Sequence, residues 1–208
     1  MPARHIGSLA SRGYNCAVIE SRLRDRLIAA IWPSPSGAST SVWAIVDCAR
    51  DPRIYPALRT SGLDYRCLYS GRLSPEVVAA APHLIEVAPT FTFTPKLLDM
   101  GWGNSWGVFL RIADPSDLRL HLRRFLRVKD ESGKVLLFRY YDPRVLRIYL
   151  PTCRADELRT VFGPISSYLV EDHTGHNLIE FSFDGNQLRE RRISLMPDDA
   201  AGGQTLPE

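Results

Sequence analysis

The sequence predicts an α/β to α+β fold: a mixed sheet with short helices following strands, closed by a C-terminal antiparallel meander. Three observations carry this. Apolar runs of strand length alternate with polar turns along most of the chain. Five X-Pro steps, Asp51-Pro52, Ser74-Pro75, Thr94-Pro95, Asp114-Pro115 and Asp142-Pro143, follow such runs. Asp, Ser and Thr cap helices because the side-chain oxygen accepts from a free backbone N–H, and proline suits the first helical position, where its missing N–H costs nothing. The last third holds short β-rich runs separated by turn residues.

In chain order, residues 1–14 read as a flexible tail. Asn15 caps a predicted helix reaching about Ile31, with Ile19, Leu23, Leu27, Ala30 and Ile31 on one face, and Trp32-Pro33 ends it. Pro33 to Ser41 reads as a long loop or linker. Strands are expected over Val42–Asp47, Tyr65–Tyr69, Leu84–Val87, Trp106–Ile112 and Val135–Tyr141, each leading toward an X-Pro helix start. A helix over Ala155–Phe162 leads into a meander of Ser167–Glu171, Leu178–Phe183 and Leu188–Leu195, turning at Thr174-Gly175 and Asp184-Gly185-Asn186. Residues 196–208 read as a disordered tail. This gives one domain over 15–195, with a division into lobes 15–112 and 113–195 left open.

Composition narrows the classes. The chain has 208 residues, 45% hydrophobic and 24% charged, which excludes wholesale disorder and fibrous architectures. Its net charge of +3 is not that of a polycation built to coat nucleic acid. The skew of 23 Arg against 3 Lys carries no functional reading. None of the four cysteines forms a C-x-x-C pair, so no zinc-ribbon or thioredoxin motif is present. Met1 to Tyr14 lacks the apolar stretch of a secretory signal, and no run reaches the roughly 18 apolar residues of a membrane span. The expected compartment is the cytoplasm.

No nucleophile elbow, P-loop, zincin or kinase signature occurs, so neither a catalytic set nor a cofactor or metal site is expected. The glycine-rich segment 101–107 precedes a strand instead of following one, which excludes a dinucleotide fingerprint. It reads as a tight turn bearing two tryptophans. Trp106 is expected to be structural, and Trp102 more exposed and available to a partner. His173-x-x-His176 sits in a turn beside Glu171 and Asp172 and reads as an ordinary hairpin connection.

Residues 111–154 carry a local net charge of +6, leaving −3 for the rest. Within them a helix over Leu118 to Arg127 would set Leu118, Leu122, Phe125 and Leu126 on one face and Arg119, Arg123, Arg124 and Arg127 on the other. Such a ridge fits an acidic protein surface, a membrane surface or nucleic acid, or is plain solvated surface. Tyr141 and Arg144 join it as expected partner contacts. Asp47 and Arg139 each end an apolar run. An internal Arg139–Asp47 pair is the expected structural reading, with Arg139 as a direct partner contact left open as the alternative, and Asp142 is expected to cap the next helix.

The same residues carry a resemblance. Trp43-Ala44-Ile45-Val46-Asp47, Ala49-Arg50-Asp51-Pro52-Arg53-Ile54, Tyr69-Ser70-Gly71, Gly101 to Phe109, Leu118 to Arg127, Phe138 to Leu146 and Leu150-Pro151, in that order, resemble the type VI secretion adaptor-chaperones (Tap/Tec-type), first filed as domain of unknown function four-one-two-three. The resemblance spans roughly residues 16–170. It implies a non-catalytic cytoplasmic protein that binds one toxic effector and loads it onto its VgrG spike. Expected partners are the effector and the spike, with no nucleic acid, membrane insertion or small-molecule substrate. Two other classes stay open: a hydrolase or transferase with a site near the strand ends, and a basic nucleic-acid or membrane-surface module.

Overall fold

The structure, a computed structural model, describes residues 22–33, 40–129 and 132–196. The expected tails, the Asn15 cap and most of the Pro33–Ser41 loop lie outside them. The strands β1 (Ser41–Asp47), β2 (Tyr65–Cys67), β3 (Pro82–Val87), β4 (Gly107–Ile112), β7 (Ile165–Glu171), β8 (Asn177–Phe183) and β9 (Leu188–Ser194) form one sheet in the order β2-β3-β1-β4-β7-β8-β9. Every pairing in it is antiparallel, so the fold lies at the α+β end of the expected range. The β4–β7 pairing carries the sheet across residue 112. A separate hairpin pairs β5 (Arg127–Lys129) with β6 (Val135–Leu137).

Alternating side chains give the sheet two apolar faces. Ile45, Leu84, Val108, Leu110, Tyr168 and Phe181 point to one. There they meet the buried residues of α5 (Leu118–Arg123), α6 (Pro143–Tyr149) and α7 (Ala155–Phe162). Val42, Ala44, Val46, Ile85, Phe109 and Leu169 point to the other. That face is covered by α1 (residues 22–31), α2 (Ile54–Arg59) and α4 (Phe93–Gly101). The result is three layers, helices on both sides of a sheet, although no parallel strand pair builds it.

Two charged side chains sit where the alternation would place apolar ones. Arg111 on β4 is buried beneath the end of α1. Its Nε donates to Ile31 O at 3.1 Å and its Nη2 to Ala30 O at 2.6 Å. A cation is favourable there, where the last helical carbonyls lack partners. Its Nη1 donates to Glu180 on β8, which also accepts from Ser167 Oγ at 2.9 Å and Arg191 Nη2 at 2.5 Å. Burial pushes the Glu180 carboxyl up, but these donors outweigh it and leave it below the ordinary range. Close packing also dictates one glycine. A Cβ on Gly107 would lie 2.0 Å from Ile45 O, so no other residue fits that point of the β1–β4 ladder.

Several expectations need correction. Only two X-Pro steps cap as proposed. Ser74 accepts from Val77 N, and Asp142 accepts from Arg144 N, each with proline opening the helix. At Thr94-Pro95 the helix has already begun at Phe93, and Thr94 is buried inside it. Asp51 and Asp114 instead accept from the amides of Arg53 and Ser116, two residues on, and shape turns before α2 and α5. The basic helix stops at Arg123 rather than Arg127, which already belongs to β5. The run Val135–Tyr141 is not a core strand. Only Val135–Leu137 is extended, in the outlying hairpin, and all three side chains are exposed. An apolar run of this length has no periodicity to separate a buried strand from an exposed one.

Candidate functional site

The hairpin stands beside α5 and leaves a groove of about 760 Å³. Its floor is Leu68 and Leu126, both buried. Leu73 and Val77, the latter from α3 (Pro75–Ala80), line it together with Leu120 of α5 and the β6 residues Val135, Leu136 and Leu137. Leu120 and Val135 are each 55% exposed, Leu137 52% and Leu136 41%. Scattered exposed leucines need no explanation, but a contiguous apolar surface on a protein marks an interaction site. Arg123, Arg124 and Arg127 line the same groove. None of the three is ion-paired among the described residues. On the hairpin, Arg127 lies directly opposite Leu137 and Lys129 opposite Val135.

Arg119 behaves differently. Its Nε and Nη2 both donate to Cys67 O, at 3.1 and 2.9 Å. It fastens α5 to the sheet-edge strand β2 and is not a free contact. Expecting it in one ridge with Arg123, Arg124 and Arg127 was therefore wrong. The carbonyl of an edge strand had a stronger claim on its fork than solvent did.

A second polar cluster lies where β1 ends. Asp47 is buried, and Arg139 Nη2 donates to its Oδ2. Asp47 Oδ1 accepts from Ala49 N at 3.1 Å. The same Arg139 nitrogen is 3.8 Å from Asp142 Oδ2. Asp142 is itself gripped by Arg144, through Nε at 2.9 Å and Nη2 at 2.7 Å. Burial pushes the Asp142 carboxyl up, and the Arg144 bonds more than offset this, leaving it below the ordinary range. The cluster joins the β1 end to the start of α6. Arg144 is half exposed at its margin. Tyr141 is not: it is fully buried, with its hydroxyl 3.4 Å from that of Tyr69, so its expected role as a partner contact is withdrawn. The chain turns inward there to start α6, and the ring goes with it.

The tryptophan turn is also inward. Trp106 is 2% exposed and Trp102 only 9%. Trp102 Nε1 donates to Gly175 O at 2.7 Å, so its one polar atom is satisfied inside the protein. Glu171 holds the rest of the turn. It accepts from Gly103 N at 2.6 Å, Ser105 N at 2.9 Å and Ser105 Oγ at 3.1 Å. Burial holds the Glu171 carboxyl above its ordinary range despite those donors. Trp102 as an exposed partner contact is thus corrected. Its closing partner lies 73 residues away, beyond any local reading.

The turn with His173 and His176 is organised by Asp172. This carboxylate accepts from Thr174 N, Thr174 Oγ1, His176 N and Asn177 Nδ2 at 2.8 to 3.1 Å. No group of three His, Cys, Asp or Glu side chains able to hold a metal occurs among the described residues. Among the described residues one Cys–His contact, Cys48 Sγ to His83 Nδ1 at 3.4 Å, lies in the core. Burial pushes the Cys48 thiol up to about 12 and the His83 imidazole down, so both sit in their neutral forms.

The family model for a domain of unknown function, DUF4123, matches residues 42–160. That is more than half of the chain. The chain belongs to the DUF4123 family. This family is the type VI secretion effector-chaperone type of the resemblance above, and it is associated with effector adaptor function. No curated protein and no solved structure matches the chain. The DUF4123 match contains the whole groove and the Asp47–Arg139–Asp142 cluster, while β7, β8 and β9 lie beyond it. Sequence reasoning found the groove's arginines but missed its leucines. The available signal was Leu120, which breaks the apolar stripe of α5, and the short apolar run that follows Gly133.

Proposed function

We propose that this DUF4123 protein is a non-catalytic adaptor that binds one type VI secretion effector and loads it onto its VgrG spike in the cytoplasm. The observation that carries this reading is the exposed apolar groove rimmed by arginines with no ion-pair partner among the described residues, a surface suited to another polypeptide. Family membership supplies the class of partner. The quiet chemistry of the interior supports the non-catalytic part: Cys48 and His83 are held neutral, and Asp47 and Glu171 are engaged by internal donors. The break in the basic ridge at Arg119 argues against a continuous stripe for nucleic acid or membrane. Among the described residues no helix is long and apolar enough to cross a membrane.

The test is reconstitution. The chain is mixed with a candidate effector and a VgrG spike, and complexes are sized by light scattering after gel filtration. A complex containing all three is expected. Failure to bind either protein, or turnover of an ester, nucleotide or glycan at about 1 s⁻¹ or more, overturns the reading.

A further inference from the structure

We infer that two copies of this chain associate through the exposed edge strand β9, which pairs antiparallel with itself about a twofold axis at Arg191, so that the two sheets run on as one. Such pairing does not depend on the adaptor role. The two edges of the seven-stranded sheet differ. At one, β2 has three residues, and Arg119 occupies the carbonyl of Cys67. That edge is short and blocked. At the other, β9 lies opposite β8 in unbroken register through all seven residues, Leu188–Ser194. Across the Gly185-Asn186 turn, Asp184 N donates to Gln187 O at 3.3 Å, and past the far end Leu195 N donates to His176 O at 2.9 Å. These two bonds fix the alternation of the ladder between them. Arg189, Arg191 and Ile193 turn their N–H and C=O toward β8, and Leu188, Glu190, Arg192 and Ser194 turn theirs outward. No described residue pairs with that outward row.

Charge selects a second copy as the occupant. Arg189 is paired with Asp184, and Arg191 with Glu180. Glu190 and Arg192, 2.8 Å apart on one face, are the charges within β9 itself that an added strand meets. An apolar strand would take water from them and offer no partner. A second β9 offers one. With the two strands fully overlapped, the axis falls at Arg191, the midpoint, and Glu190 of each copy lies opposite Arg192 of the other. The outward rows match as well, Glu190 with Arg192 and Leu188 with Ser194. A slip of one residue sets outward groups against inward ones, and moving the axis to residue 190 or 192 sets Glu against Glu or Arg against Arg. The register with the most backbone pairing is therefore also the one that matches charge. The two Arg191 side chains meet at the axis, and each is already held by Glu180, through Nε at 3.1 Å and Nη2 at 2.5 Å. The ends of the chain itself suit the edge less. Residues 197–208 hold Pro197, Pro207, Gly202 and Gly203 and a single β-branched residue, Thr205, a poor composition for a strand. Residues 1–19 carry Arg4 and Arg12 and no acid, against a strand with three arginines.

The experiment is sedimentation velocity of the full chain over a concentration series. The wild-type chain should show a reversible equilibrium between monomer and dimer. Arg192→Glu sets like charges opposite each other at both cross-strand positions, and so does Glu190→Arg. Each should weaken dimerisation at least about tenfold. Mixed together, the two variants are complementary at both positions and should dimerise as the wild type does. The double variant Glu190→Arg with Arg192→Glu should do the same alone, a rescue that misfolding does not produce. Under mild oxidation Arg191→Cys should form a disulfide between copies, because the two positions face each other at the axis. Arg189→Cys, which keeps the same native cysteines but faces Ile193 of the other copy, should not.

A wild-type chain that stays monomeric throughout overturns the inference and leaves the β9 edge to the chain's own ends or to a strand of another protein. A dimer that the single variants leave unchanged overturns it as well, by placing the interface elsewhere. Single variants that fail to dimerise when mixed, or an Arg191→Cys chain that does not cross-link, overturn the register.

Discussion

Two apolar-rich segments of this chain meet opposite fates. The turn 101–107 carries two tryptophans yet is closed inward by Glu171 and by the Trp102–Gly175 hydrogen bond. The hairpin strand Val135–Leu137, three aliphatic residues in a row, stands in solvent. Hydrophobicity alone does not separate them. What does is whether the neighbouring polar groups can be satisfied inside. The tryptophan turn brings its donors to one buried carboxylate, so burial leaves nothing orphaned. The hairpin is flanked by Arg127, Lys129 and Lys134, whose charges keep it at the surface. One segment fixes the fold, and the other is the exposed surface on which the proposed adaptor role rests.

Substitutions can break this contrast, beginning with the largest effect on stability. Trp106→Ala should cost about 4 kcal/mol in urea unfolding, through the cavity it opens against α4 and β4. A loss below about 1 kcal/mol would return that turn to the surface class. Arg139→Ala should cost about 3 kcal/mol, because it strands buried Asp47 with a single donor from Ala49. Arg139→Lys should fall nearly as far, since an ammonium is more strongly hydrated than a guanidinium and is costlier to hold against buried Asp47. Lysine rescue to wild-type stability would show that charge alone suffices there.

Asp172→Asn should cost about 2 kcal/mol at neutral pH, and its pH dependence sharpens the claim. Burial pushes the Asp172 carboxyl up, but the bonds from Asn177 and Thr174 outweigh it and hold it down at about 2, under the ordinary value near 4. A depressed acid stabilises above its unfolded value and loses that stabilisation as pH falls through its folded one. The gap between wild type and Asp172→Asn should therefore close between about pH 4 and pH 2. A gap that stays constant would place the effect in shape rather than charge. Smallest of all, Leu136→Asp should change stability by no more than about 0.5 kcal/mol, being an exposed position. A large loss would mean the hairpin is part of the core after all.

Much of the fold was legible because alternation and capping are local. The three strands of the meander, α7 and β1 fall close to their expected bounds, and Ser74 and Asp142 cap as their chemistry implies. The Arg139–Asp47 contact was reachable because a guanidinium after an apolar run must find an acid. What escaped was non-local. Trp102 is buried by a carbonyl from the β7–β8 turn, Arg119 is claimed by the carbonyl of an edge strand, and the hairpin leucines lack any second layer. None of these is set by neighbours in sequence. The same holds for the antiparallel order of the sheet, since X-Pro helix starts are equally at home in parallel units.

The most direct measurement is amide hydrogen exchange of the chain with and without its bound effector. The account predicts new protection in residues 127–129 and 135–137 and at the end of α5, with residues 101–107 already protected and unchanged. Protection gained in 101–107 while the hairpin amides exchange as before would contradict it.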